Sequence, residues 1–135
     1  NEGEGLIKYV GHGSVEQWRG DLLSNDDARA MTSQAQLPVF VMMTCLNGYF
    51  ADPALDSLGE ALLKAEGGGA VAVWASSGMT TPSDQAVMNR EVIRQMYAEA
   101  AVTLGEAVKR AKQAVSNGEV RRTWILLGDP LTRLR

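Results

Sequence analysis

The chain holds a single cysteine and a single histidine in 135 residues. One cysteine excludes an internal disulfide, and one residue of each kind leaves a structural zinc site short of ligands, so the redox compartment stays open. A basic excess is also lacking. Thirteen Lys and Arg against sixteen Asp and Glu give a formal charge of −3, which removes the electrostatic footprint expected for nucleic acid or an anionic membrane. The short clusters Lys109-Arg110-Lys112 and Arg121-Arg122 lie beside acids and read as solvated helix and loop faces. No apolar run approaches the ~20 residues of a membrane span, and no signal-peptide pattern opens the chain. No dense Asp/Asn/Glu loop suggests calcium, so neither a metal nor a cofactor is expected.

What is present is the composition of one soluble globular domain: 45% apolar, 21% charged, and long enough to bury a core. Four apolar runs stand out: "LIKYV" (6–10), "VFVMMT" (39–44), "AVAVWA" (70–75) and "TWILL" (123–127). They are apolar nearly throughout instead of alternating, which suits strands covered on both faces of a parallel sheet. Helical signals fill the gaps. Ser24 with Asp27 starts a short helix ending near Thr32. Asp52-Pro53 reads as cap and first turn of a helix running to Glu66, with Leu55, Leu58, Leu62 and Ala65 on one face and "GGG" (67–69) as its stop. After Pro82 a longer helix buries Ile93, Met96, Tyr97 and Ala100. Thr103 with Glu106 is a fresh capping box, beginning a second helix that ends at Asn117-Gly118. "SLGEALLKA" and "TLGEAVKRA" echo one another, each with a Ser/Thr cap, a Glu three residues on and a glycine in the first turn. Two units do not make a repeat architecture; the echo reads as one helix start used twice, its glycine allowing close approach to the sheet.

The order strand, helix, strand, helix, strand, two helices, strand implies an α/β fold with a mainly parallel sheet. Sites in such sheets form beyond the carboxyl ends of the strands. The first strand delivers Gly11-His12-Gly13-Ser14 there, the second Thr44-Cys45-Leu46-Asn47-Gly48, the third Ser76-Ser77-Gly78. The fourth is expected to bring Gly128-Asp129-Pro130 to the same rim, where Asp129 forms a turn. A lone Cys after an apolar run is commonly a small buried hydrophobe, and a lone His is commonly structural. Their joint placement points to chemistry, because a thiol is a nucleophile as thiolate and a nearby imidazole can remove its proton. The N–H of Gly13, aimed together with that of Cys45, would make an oxyanion hole; the plainer role of Gly11 and Gly13 is a tight turn. A nucleotide site is disfavoured, since no G-x-G-x-x-G or Walker pattern follows a strand. A Ser-His-Asp hydrolase lacks its G-x-S-x-G elbow.

At "YVGHGS…W" followed by "MTCLNGYF", the chain resembles the gingipain-type cysteine peptidases of the caspase-like clan. "LGEALL", "GGGAVAVWASSG" and "TWILLGDPLTRL" are similar to the same family, so the resemblance covers nearly the whole chain. It implies a caspase-like (Rossmann-like) three-layer sandwich with four strands in this chain, and a cysteine endopeptidase working through a thioester acyl-enzyme. His12 would be general base and acid, Cys45 the nucleophile, and the backbone N–H groups of Gly13 and Cys45 the oxyanion donors. No third triad member is essential in this clan. The stretch from Trp74 to Met79 corresponds to the wall of the primary specificity pocket, which assigns Trp74, Ser76, Ser77 and Gly78 to substrate binding; core packing is the competing role for Trp74. Trp18 is expected to pack the loop over the active site in preference to contacting substrate.

The family's catalytic domain has about six strands, so residues 1–135 read as one caspase-like peptidase domain without its N-terminal strands. The acidic opening "NEGEG" at Asn1 likewise reads as the middle of something longer. The first strand would then present an unpaired edge. The expected partners are a peptide or protein substrate and the upstream part of the same catalytic domain, as a continuous or a separately processed chain. A secreted or cell-surface location is implied by the resemblance, as is self-processing. Two other functions fit the same residues: a catalytically silent caspase-like module acting in binding or regulation, and a caspase-like regulatory protease of a signalling protein.

Overall fold

The computed structural model describes residues 5–32, 36–98 and 102–133. Strands β1 (Leu6–Val10), β2 (Val39–Met43), β3 (Ala72–Ser76) and β4 (Trp124–Gly128) form one sheet in the order β1-β2-β3-β4. The first three are parallel; β4 runs antiparallel to β3. Helices α1 (Asn25–Ala30), α2 (Leu58–Lys64), α3 (Pro82–Met96), α4 (Leu104–Gln113) and α5 (Gly118–Thr123) fill the connections.

Every residue of β2 and β3 is buried, because successive side chains point to opposite faces and both faces are covered. Val39, Val41, Met43, Ala72 and Trp74 pack with α3, α4 and Trp124. Phe40, Met42, Val73 and Ala75 pack instead with α1, α2, Trp18 and Leu23. The result is the three-layer α/β sandwich that the family resemblance implied, with strands covered on both faces as the unbroken apolar runs suggested.

The capping signals hold where the boundary is local. Ser24–Asp27 and Ser57–Glu60 are reciprocal capping boxes, and Thr103 accepts from the Glu106 N–H. Helix α2 ends at Lys64, with Ala65 already extended, before the triple glycine; Gly69 has φ +94 in the turn that follows, and a Cβ there would lie 2.1 Å from the Leu62 carbonyl oxygen. Three expectations change. Helix α2 starts at Leu58 rather than after Asp52, whose carboxylate instead accepts from the N–H groups of Ala54 and Leu55 in a turn, leaving Leu55 exposed. In α3 the buried face is Gln85, Met88, Val92, Gln95 and Met96. Ile93 is half-buried, Tyr97 is 67% exposed, and Ala100 lies outside the described residues. Gln95 can be buried because it donates to Glu91 and accepts from Arg110.

The third change is the largest. The chain does not go straight from α4 to the last strand: Asn117 caps the extra helix α5, which delivers the chain to the carboxyl end of β3. There Ser77 N–H donates to the Thr123 carbonyl at 2.7 Å, and Ser76 pairs with Trp124. Strand β4 then runs back, so Gly128 pairs with Ala72 and Gly128-Asp129-Pro130 emerges at the opposite rim from Cys45. Asp129 does form a turn, accepting from the Leu131 N–H at 2.8 Å.

Candidate active site

The parallel register pairs Val10 with Met43, and the Gly11 N–H continues the ladder to the Met43 carbonyl at 3.2 Å. His12 and Cys45 therefore each lie two residues past the same strand pair, at one end of neighbouring strands that run about 4.8 Å apart. His12 is exposed and Cys45 half-buried. The Cys45 thiol lies 3.8 Å from the Thr80 carbonyl oxygen, in the loop after β3. Among the described residues no hydrogen bond joins imidazole to thiol.

The His12 loop is held from behind. The His12 carbonyl accepts from the Arg19 N–H at 2.9 Å and from the Tyr9 hydroxyl at 3.3 Å. Gly13 faces Trp18 across a small hairpin closed by Ser14 N–H to the Gln17 carbonyl at 2.9 Å. Trp18 stacks on Tyr9 with ring centroids 4.2 Å apart and lies 6.4 Å from Phe40. It is buried and packs the loop onto the core. A cleft of about 220 Å³ opens beside the hairpin, lined by His12, Gly13, Ser14, Gln17 and Arg19.

The Cys45 loop is tight. The Asn47 N–H donates to the Cys45 carbonyl at 2.9 Å, closing a three-residue turn around Leu46 at φ 63. A non-glycine residue in that region is strained, and such strain persists where surrounding structure over-determines it. Here the surrounding structure is Leu46 N–H on the Gly78 carbonyl, Gly48 N–H on the Ser76 carbonyl and Gly59 N–H on the Asn47 carbonyl. The N–H groups of Gly13 and Cys45 donate to nothing among the described residues. Both are free at the rim that also carries His12 and the thiol.

The third strand contributes Ser76, Ser77 and Gly78 at this same end. Ser76 is buried, donating to the Gly78 carbonyl at 3.0 Å; Ser77 donates to the Thr123 carbonyl at 2.8 Å. Ser77 and Gly78 are partly exposed. Trp74 is elsewhere. Its indole is fully buried and sits 5.3 Å from that of Trp124, with the Lys112 ammonium 5.8 Å from the ring centre. Burial pushes that ammonium below the usual lysine value. In this chain Trp74 is core, because its strand position points it at the α3/α4 layer.

The sequence reading passed over Asn47 and Thr123. Asn47 follows Cys45 by two and precedes a glycine, a pattern that signals only a turn; its full burial is not visible there. Thr123 sits at the start of an apolar run and reaches the rim only because β4 is antiparallel. Among the described residues no group of three or more His, Cys, Asp or Glu is placed to hold a metal ion, and no helix is long and apolar enough to cross a membrane.

The fold is shared with solved structures. A crystal structure of the Arg specific cysteine proteinase gingipain R superposes with a TM-score of 0.89 at 24% identity, over 98% of this chain and 34% of that one. A complex of gingipain pro- and mature domains from Porphyromonas gingivalis gives 0.85 at 24% identity, over 98% and 34%. A structure described simply as a protease gives 0.82 at 17% identity, over 98% and 36%. The chain thus spans about a third of the length of these proteins. No curated protein sequence matches it significantly. The sequence model of peptidase family C25 matches residues 1–135, and the chain belongs to that family, the gingipain-type cysteine peptidases.

Proposed function

We propose that this chain carries the catalytic dyad of a cysteine endopeptidase, with Cys45 as nucleophile and His12 as its base. One observation supports this above the others: His12, Cys45 and the two free N–H groups of Gly13 and Cys45 occupy one end of adjacent parallel strands. In this reading the Cys45 sulfur attacks the scissile carbonyl carbon while His12 takes the thiol proton. The Gly13 and Cys45 N–H groups hold the oxyanion. Collapse of the intermediate transfers that proton to the leaving amine and leaves a thioester. Water, deprotonated by His12, then releases the acid and restores the thiol.

Ser76, Ser77 and Gly78 are proposed to border the pocket for the residue preceding the scissile bond; Trp74 supports that wall from the core. These three residues carry no acidic group, so a preference for a basic residue, as in the Arg specific relative, has to come from elsewhere in the protein. The upstream part of the catalytic domain is proposed to pair with β1. Val10 at that edge is 56% exposed, and a cavity of about 530 Å³ lies between β1 and α3. Self-processing and a secreted or cell-surface location belong to the same proposal.

The test uses the full-length protein, Cys45→Ala and His12→Ala. Hydrolysis of fluorescein-labelled casein is expected in wild type and abolished in both variants. Iodoacetamide at pH 6.5 is expected to label native Cys45, more slowly in His12→Ala, by intact mass. A Cys45 that stays unreactive until denaturation, or casein hydrolysis that survives Cys45→Ala, would overturn the dyad. Equal partner binding by wild type and Cys45→Ala, with no cleavage by either, would favour a silent module.

A further inference from the structure

The side chain of Asn47 joins the two halves of the site. It is fully buried, and its amide nitrogen donates to the Ser14 carbonyl at 2.6 Å and to the Gln17 carbonyl at 3.3 Å. Both acceptors belong to the hairpin that carries His12 and Gly13. Its amide oxygen accepts from the Thr44 hydroxyl, in the loop that carries Cys45. The hairpin is drawn so close that a Cβ on Gly13 would lie 2.7 Å from Asn47 Oδ1 and 3.1 Å from Thr44 Cβ. Gly13 has no positive φ, so space, not backbone freedom, demands glycine there. Both donations of the Asn47 amide toward the hairpin go to backbone oxygens, which a hydrogen-bond donor at that point, not an acceptor, can satisfy.

We propose that Asn47 is the positioning residue of the site, setting the separation between the Gly13 N–H and the Cys45 N–H and, with it, that between His12 and the thiol. The inference rests on the dyad reading above. Asn47 touches neither thiol nor substrate; it acts through the backbone it clamps. Loss of the clamp lets the hairpin drift, and misplacement of catalytic groups by about 1 Å costs about 10²-fold in rate.

The experiment measures kcat and KM for the full-length protein on a peptide bearing its preferred casein cleavage site. Asn47→Ala is expected to lower kcat about 10²-fold with KM nearly unchanged. Gly13→Ala is expected to cost a similar factor, and the double variant little more than either single one, because the colliding oxygen is then gone. Asn47→Asp fills the same volume but turns a donor into an acceptor facing two carbonyls. Its kcat relative to wild type is expected to rise as pH falls, since the protonated carboxyl can donate again. That variant also decides the matter if Asn47→Ala fails to fold. Wild-type kcat in Asn47→Ala, strictly multiplicative losses in the double variant, or a pH-independent ratio for Asn47→Asp would each overturn the proposal. If Cys45→Ala is inactive while the Asn47 variants keep wild-type kcat, this inference alone fails; if Cys45→Ala remains active, the dyad reading fails first.

Discussion

Alanine in place of Gly59 sets two forces against each other, and Gly105 offers a built-in control. Both are second-position helix glycines in the echoed segments, and each donates its N–H to a loop carbonyl at 2.8 Å: Asn47 for Gly59, Pro130 for Gly105. A Cβ on Gly59 would lie 3.0 Å from the Asn47 carbonyl oxygen, 3.1 Å from Leu127 Cδ1 and 3.4 Å from Val73 Cγ1. On Gly105 it would lie 2.8 Å from Pro130 Cβ and 3.0 Å from the Pro130 oxygen. Helix propensity favours alanine by about 1 kcal/mol, while overpacking costs about 1–3 kcal/mol. Each variant should therefore lose about 0–2 kcal/mol in urea unfolding, a Tm drop of at most about 8 °C. Activity should separate them. The carbonyl pushed by Gly59→Ala belongs to the Cys45 loop, whereas Pro130 lies at the far rim. In the full-length protein, kcat for peptide hydrolysis should fall about 10-fold or more for Gly59→Ala and stay at the wild-type value for Gly105→Ala. Equal kcat losses in the two variants would refute the idea that the start of α2 anchors the active-site loop.

Two other substitutions probe assignments made above. Trp74→Ala removes a fully buried indole and should cost about 3–5 kcal/mol in urea unfolding; a changed KM with unchanged stability would return Trp74 to the substrate pocket. Asp56 accepts from Lys64 and faces Arg29, and the Lys64 ammonium above all holds its carboxyl below the ordinary carboxylate range. The folded state therefore binds fewer protons than the unfolded chain between the lowered and ordinary values. The stabilisation is present above the ordinary value and is lost as pH falls through the lowered one. Tm measured from pH 6 to 2.5 should decline less steeply in Asp56→Asn; identical slopes would show that this ion pair is screened away.

The placement of His12 and Cys45 at one rim was legible because its signal is local. An apolar run ending in Gly-His-Gly and another ending in Thr-Cys mark two strand ends, and parallel pairing makes those ends neighbours. Trp74 was ambiguous for the opposite reason. Its strand identifies a buried element without saying which of two covered faces a given residue meets. The loop after the third strand is intermediate: Ser76–Gly78 follow that strand as expected, but Ser76 and Ser77 also bond to Thr123, a partner 46 positions or more away.

By itself the sequence determined what short-range chemistry can determine. A hydroxyl three residues before a carboxylate starts α1 and α4, Gly69 holds a turn in which a side chain would collide, and unbroken apolar runs require helices on both faces of the sheet. Only the tertiary structure decided the rest. The direction of β4 depends on where α5 releases the chain, which no residue within β4 encodes, and that direction moves Asp129 to one rim and Thr123 to the other. Likewise Asn47 is a turn residue until β1 and β2 pair. It becomes a clamp only when their loops meet, because its amide is then buried against carbonyl oxygens contributed by a segment some thirty residues earlier in the chain.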